Sequence, residues 1–198
     1  MAKSSAFAVH FSVDSEGWLE PARHLLSPNH NQRDADADIS LLVIHNISLP
    51  PGQFGTGCVQ DFFCNQLDIS THAFFSEIEQ LKVSAHFFID RQGEVTQFVP
   101  TTARAWHAGV SCFEGRESCN DFSIGIELEG TDDQPYTDAQ YVALQGVTKA
   151  LLNRHGELSV DRIAGHCDIA PARKTDPGPS FDWSRYRTSL QQFQGENS

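Results

Sequence analysis

One segment constrains the fold more than any other: residues 123–129 read Ser-Ile-Gly-Ile-Glu-Leu-Glu. Their alternation puts three aliphatic side chains on one face of a β-strand and two carboxylates, Glu127 and Glu129, on the other. A carboxylate in an apolar strand needs a partner, a role at a metal site or a raised pKa, unless its face is solvated. The segment therefore predicts a strand whose acidic face is either a functional site or a solvated outer surface.

Three further strand signals surround this segment. Residues 41–45, Leu-Leu-Val-Ile-His, form a short apolar run that predicts a buried strand ending on His45. Residues 83–89 and 94–99 flank a four-residue connection that ends in glycine, which predicts a β-hairpin. Residues 160–164 predict one more strand.

Helical patterns lie between and after these strands. Residues 137–156 place Thr137 and Gln140 at capping-box spacing ahead of an apolar stripe of helical period. Shorter helices are predicted to begin near residue 59 and to span residues 183–193. Strands mixed with helices and a hairpin predict an α/β domain with a central mixed β-sheet flanked by helices, rather than a doubly wound parallel sheet.

Length and composition indicate one soluble domain. The chain has 198 residues with 39% hydrophobic content, enough for a single packed core. Residues 1–40 are polar and irregular and predict an N-terminal arm packed on the domain. The domain itself is predicted to span residues 41–190, followed by a C-terminal tail over residues 191–198.

Net charge bears on the possible partners of the chain, and cysteine usage bears on its cellular compartment. A net charge of −12 argues against binding to nucleic acid or to an anionic membrane, because either partner would be repelled. The sequence contains no run approaching the roughly 18 apolar residues of a membrane span, and its N-terminus lacks the apolar core of a signal peptide. Five cysteines without a C-x-x-C pair favour reduced thiols and hence the cytoplasm.

Two histidines and an aspartate stand out as metal ligands by position. His45 ends a predicted strand, His166 follows another apolar piece, and Asp176 lies in a loop fixed by proline and glycine. Two imidazoles and a carboxylate make a catalytic zinc set that leaves a fourth position open. Spacing alone does not establish this set, because structural histidines are common. Lys174, two residues before Asp176, is either a cation near the same point or a surface residue.

Several blocks of the sequence resemble the AmpD-type family of N-acetylmuramoyl-L-alanine amidases, which act in peptidoglycan recycling. The resemblance runs from about Glu16 to Leu190. The blocks that carry it are residues 45–52, 83–86, 104–110, 120–132, 136–141, 165–166 and 176–183.

The resemblance implies a function and a site. It implies one Zn²⁺ per chain held by His45, His166 and Asp176, with Glu127 as the catalytic carboxylate and Lys174 as its electrostatic partner. The reaction implied is hydrolysis of the amide bond between the lactyl group of 1,6-anhydro-N-acetylmuramic acid and L-alanine of the stem peptide. An aspartate replaces the cysteine common in more distant relatives, which should leave the zinc more electrophilic.

Contacts to the anhydromuropeptide are expected from residues in or near these blocks. The expected substrate-binding residues are Asn46, Lys82, His86, Trp106, His107 and Arg116. Lys82 and Ser118 replace arginines expected from the family, so the peptide carboxylates would be held differently. We expect a monomeric cytoplasmic enzyme. The alternatives are a phage-type lytic amidase acting on polymeric peptidoglycan and a non-catalytic muropeptide-binding protein.

Overall fold

The fold is built around one six-stranded sheet. The computed structural model describes residues 9–34 and 36–196. In chain order the strands of this sheet are β3 (Arg23–His24), β5 (Leu41–Ile47), β6 (Phe87–Ile89), β7 (Val95–Gln97), β11 (Ser123–Glu129) and β12 (Ile163–Gly165). They lie side by side in the order β12-β5-β11-β6-β7-β3.

Short strand pairs and helices surround the sheet. The pairs are β1 (Ser12–Val13) with β2 (Leu19–Glu20), β4 (His30–Gln32) with β8 (Ala103–Ala105), and β9 (Cys112–Phe113) with β10 (Arg116–Glu117). The α-helices are α1 (Cys58–Phe63), α2 (Phe75–Ile78), α3 (Asp138–Arg154), α4 (His166–Ile169) and α5 (Trp183–Glu196). Within the described residues, three 3-10 turns cover Ile69–Thr71, Cys119–Asp121 and Val160–Arg162.

The sheet is mixed, as predicted. Strands β12, β5, β11 and β6 run parallel to one another, and β7 returns antiparallel to β6 as the second strand of the predicted hairpin. Parallel strands are normally covered on both faces. Every residue of β11 is buried, so the alternative of a solvated outer face for Glu127 and Glu129 is wrong.

The apolar face of β11 packs on the long helix α3. Ile124 and Ile126 share a buried cluster with Leu144 of α3 and Tyr186 of α5. The predicted capping box of α3 is confirmed, because the Gln140 backbone N–H donates to the Thr137 hydroxyl at 3.1 Å and the Gln140 side chain accepts the Thr137 N–H. These contacts leave the opposite face of the sheet to the candidate site.

One strand prediction is wrong in part. Of residues 160–164, the first three form a 3-10 turn, and the strand starts only at Ile163. The Arg162 N–H donates to the carbonyl of Ser159, which closes a turn before the chain enters the sheet. An apolar run this short does not distinguish a turn from a strand.

None of the helices within residues 9–34 and 36–196 has both the length and the apolar character needed to cross a bilayer. All five cysteines carry free thiols.

Residues within 9–34 contact the central sheet directly. Leu19 is fully buried, and its backbone N–H donates to the side-chain oxygen of Gln97 at 2.7 Å. Strand β3 pairs with β7 at one edge of the sheet. At the other terminus, α5 extends to Glu196, through most of residues 191–198. The division of the chain at residues 40 and 190 stays a prediction.

Arg33 ties this N-terminal segment to the sheet. Its half-buried guanidinium donates to the main-chain carbonyls of Thr101, Asn120, Asp121 and Ser123, at 2.6–3.3 Å. Burial, helped by the neighbouring Arg104, lowers the pKa of Arg33 to about 10, although Asp121 opposes the shift. The side chain therefore stays charged at neutral pH while it satisfies several carbonyls at once.

We expect Arg33→Met to lower the free energy of unfolding by about 3 kcal/mol, because the substitution removes charge-assisted hydrogen bonds and leaves carbonyls without donors. Urea denaturation followed by circular dichroism measures the change. Arg185→Met is the matched control, since Arg185 forms an exposed ion pair with Asp138 that should contribute less than about 1 kcal/mol. Equal losses in the two variants would contradict the anchoring role of Arg33.

Candidate metal centre and active site

The register of two central strands positions the first residues of the site. His45 on β5 lies directly opposite Glu127 on β11 in the parallel ladder, so both side chains leave the same face of the sheet. Strand β12 pairs with the other edge of β5 and ends at Gly165. His166 follows at once as the first residue of α4. The sequence thus folds two distant histidines to the same end of the sheet.

Asp176 completes a compact group of three possible ligands. His45 Nδ1 lies 2.9 Å from His166 Nδ1 and 3.0 Å from Asp176 Oδ2, and His166 Nδ1 lies 3.1 Å from the same oxygen. His45 and His166 are both buried. The three atoms lie within 4.8 Å of one another, as the ligands of one ion would.

The protonation states suit a divalent cation. Burial is the main cause that lowers the pKa of His45 to about 4, so its ring is neutral at pH 7. Burial opposes the charged form of Asp176, but hydrogen bonds to His166 and His45 outweigh it and hold the pKa of Asp176 below its usual value. Neutral imidazoles and an ionised carboxylate are the forms that bind a metal. This donor set fits zinc and leaves a position for a reactant.

Glu127 is the unsatisfied carboxylate of the site. Its side chain is 9% exposed, and Oε2 is the one buried side-chain oxygen or nitrogen without a hydrogen-bond partner among the described residues. Burial, followed by the negative charge of Asp176, raises the pKa of Glu127 well above its usual value, while Lys174 opposes the shift. An unpaired buried carboxylate is costly for a fold, which indicates a functional role.

Glu129 differs from Glu127 although both leave the same face of β11. Its Oε1 accepts the Gly55 N–H at 2.6 Å, and its Oε2 accepts the Arg91 N–H at 3.2 Å. Both oxygens therefore hold backbone in place. The structure separates an unsatisfied glutamate from a satisfied one, a difference that strand alternation does not show, and the unsatisfied one is the Glu127 that the resemblance implies.

The candidate ligands open into a cleft of about 870 Å³. Its polar lining includes Asn46, Glu127, Asp132, His166, Lys174 and Asp176. Its apolar lining includes Leu49, Phe62, Phe74, Ile78, Leu81 and Trp106. A cleft of this size lined by both polar and apolar side chains suits a ligand that joins a charged group to a less polar one.

Three of the six predicted substrate contacts line this cleft. Asn46 donates to Asp132 Oδ1 at 2.8 Å, and Trp106 donates its indole N–H to Asn31 Oδ1 at 2.7 Å. His107 lies deeper, with 9% of its surface exposed.

The other three predicted contacts lie apart from it. Lys82 lines a smaller neighbouring pocket of about 330 Å³. His86 is fully buried, and its Nδ1 accepts the Gly125 N–H at 3.0 Å. Arg116 pairs with Asp38 at 2.7 Å and covers the ring of Phe122.

Two residues outside the predicted set support the loop that carries Asp176. The Tyr136 hydroxyl donates to the Pro177 carbonyl at 2.7 Å, next to Asp176. Arg173 Nη2 donates to the Ala108 carbonyl at 2.6 Å. Neither role could be read from the sequence, because both act through main-chain atoms of distant segments.

Comparison with known proteins identifies the family of the chain. The family described as N-acetylmuramoyl-L-alanine amidase (Amidase_2) matches residues 35–179. The 1,6-anhydro-N-acetylmuramyl-L-alanine amidase AmpD of Enterobacter cloacae is 58% identical over 174 residues, which are 88% of this chain and 92% of that protein.

Solved structures extend the likeness to the fold. The crystal structure of a selenomethionine derivative of AmpD matches with a TM-score of 0.86 at 55% identity, and the match covers 89% of this chain and 98% of the other. The Escherichia coli amidase AmiD, in complex with its substrate anhydro-N-acetylmuramic acid-L-Ala-D-gamma-Glu-L-Lys, matches with a TM-score of 0.59 at 29% identity, over 90% of this chain and 65% of the other. The chain belongs to the N-acetylmuramoyl-L-alanine amidase family and is an amidase.

Proposed function

We propose that this amidase is zinc-dependent and hydrolyses the bond between the lactyl group of 1,6-anhydro-N-acetylmuramic acid and L-alanine in peptidoglycan recycling. One observation supports this most: His45, His166 and Asp176 converge on one point, beside a buried and unsatisfied Glu127. The AmpD relatives and the substrate bound to AmiD support the choice of an anhydromuropeptide. We further propose that it acts in the cytoplasm as a monomer.

His45, His166 and Asp176 would hold the zinc. When bound, zinc supplies Lewis acidity to a water molecule and to the scissile carbonyl. Glu127 takes a proton from the attacking water and delivers it to the departing alanine nitrogen. A carboxylate with a raised pKa is suited to both transfers near neutral pH.

Lys174 contributes electrostatic stabilisation and does not transfer a proton. It lines the cleft, and its positive charge lowers the pKa of Glu127 against the larger effect of burial. A fixed cation at this place stabilises the negative charge that develops on the carbonyl oxygen in the transition state. Asn46 and Trp106, which line the same cleft, would contact the muropeptide.

Incubation with anhydromuropeptide tests the function directly. We expect chromatography to show free stem peptide, a chelator to abolish its release, and added zinc to restore it. Cross-linked polymeric peptidoglycan is the control substrate, because a phage-type lytic amidase would cleave it. Binding of anhydromuropeptide without cleavage by the zinc-loaded protein would contradict the proposal and favour a non-catalytic binding protein.

Glu127→Gln should lower kcat by about 10²- to 10⁴-fold, because an amide cannot take the proton of the attacking water. Elemental analysis should still find zinc bound. Glu129→Gln is the matched control on the same strand face, and we expect it to retain most of the activity at some cost in stability. Near-normal turnover by Glu127→Gln would exclude Glu127 as the proton acceptor.

His45→Ala should lose zinc and activity together, because two ligands remain where three are needed. Mass spectrometry of the metal content of the purified protein measures the loss. His24→Ala removes an exposed histidine of the N-terminal segment and should leave the zinc content unchanged. Full zinc occupancy in His45→Ala would place the ion elsewhere.

A further inference from the structure

The two histidines of the candidate metal centre share one outer support. His45 Nε2 lies 2.9 Å from His107 Nδ1, and His166 Nε2 lies 3.1 Å from the carbonyl oxygen of Ala108. Both inner nitrogens, the Nδ1 atoms, face Asp176. A ligating histidine is normally oriented by a partner on its second ring nitrogen, and here adjacent residues supply both partners.

The two partners differ in what they can fix. A carbonyl oxygen only accepts, so Ala108 takes an N–H from His166 Nε2, and Nδ1 is then the nitrogen that gives up its proton to bind a cation. The His107 imidazole can accept or donate at Nδ1. The His107 ring therefore accepts the Nε2–H of His45, and so leaves His45 Nδ1 for the metal, only when the proton of His107 is on its own Nε2. That nitrogen lies 3.1 Å from the hydroxyl oxygen of Ser123, which is able to accept such a proton.

The surroundings of His107 hold its ring in place. A Cβ atom on Gly125 would lie 2.5 Å from His107 Cγ, so the ring fills space that a side chain on β11 would occupy. Asn120 Oδ1 accepts the backbone N–H of His107 at 3.1 Å and that of Ala108 at 2.8 Å. One buried amide thus fixes the segment that supports both imidazoles.

We propose that His107 is a positioning residue that fixes the tautomer and orientation of His45, instead of the substrate contact expected from the sequence. The proposal rests on the proposed zinc site, because it concerns how that site is organised. His107 acts through His45 and touches neither the ion nor the scissile bond. Asn120 and Ser123 support it in this role.

The test is zinc affinity, measured by competition with a chromophoric chelator. His107→Leu removes the acceptor and should weaken zinc binding by about 10- to 100-fold. His107→Gln offers a side-chain oxygen to His45 and an N–H to Ser123, so it should restore affinity close to that of wild type. With zinc saturating, neither variant should change KM. A raised KM with unchanged zinc affinity would make His107 a substrate contact and overturn the proposal.

His155→Gln is the matched control. His155 is also a buried histidine, and its Nε2 lies 3.1 Å from the Thr101 hydroxyl, but it does not line the cleft. We expect it to cost stability without changing zinc affinity. A loss of zinc affinity as large as that of His107→Leu would assign the effect to general destabilisation and overturn the proposal.

The tautomer of His107 can be measured without any variant. In ¹⁵N-labelled, zinc-loaded wild-type protein, long-range ¹H–¹⁵N spectra should show the His107 proton on Nε2. A proton on Nδ1 would overturn the proposal. Wild-type protein that binds no zinc would contradict the proposed function itself, whereas unchanged zinc affinity in His107→Leu would contradict only the positioning role.

Discussion

The parallel pairing of β5 with β11 is the constraint on which the rest of the site depends. Its register puts His45 opposite Glu127, and β12 on the far edge of β5 delivers His166 to the same end of the sheet. A slip of one residue in either strand would turn one side chain to the opposite face, which packs on α3. The apolar residues that fix this register therefore also fix the distance between the candidate ligands and the carboxylate.

Burial gives these groups their chemistry. It keeps His45 neutral and raises the pKa of Glu127, whereas contacts with two imidazoles keep Asp176 ionised. A cation bound between them would offset charges that the fold by itself leaves uncompensated. Glu129 is buried on the same strand but does not carry an unsatisfied oxygen, because main-chain N–H groups donate to both of its oxygens.

Support for the site extends to the N-terminal segment. Arg33 donates to the carbonyls of Asn120 and Ser123, and these residues hold the backbone and the ring of His107. His107 in turn contacts His45. A contiguous set of hydrogen bonds thus links the segment before the first central strand to the candidate metal centre.

The sequence by itself determined the elements that alternation and capping encode: the strand with Glu127, the strand with His45, which runs on to Ile47 instead of ending at His45, the hairpin and helix α3. These depend on local periodicity. Alternation alone could not choose between Glu127 and Glu129, which only the family resemblance did, because the physical difference lies in the main-chain donors from Gly55 and Arg91. Nor could it separate Asn46, which lines the cleft, from His86 and Arg116, which do not. Those outcomes were decided by tertiary structure, since they depend on which distant segments meet across the sheet.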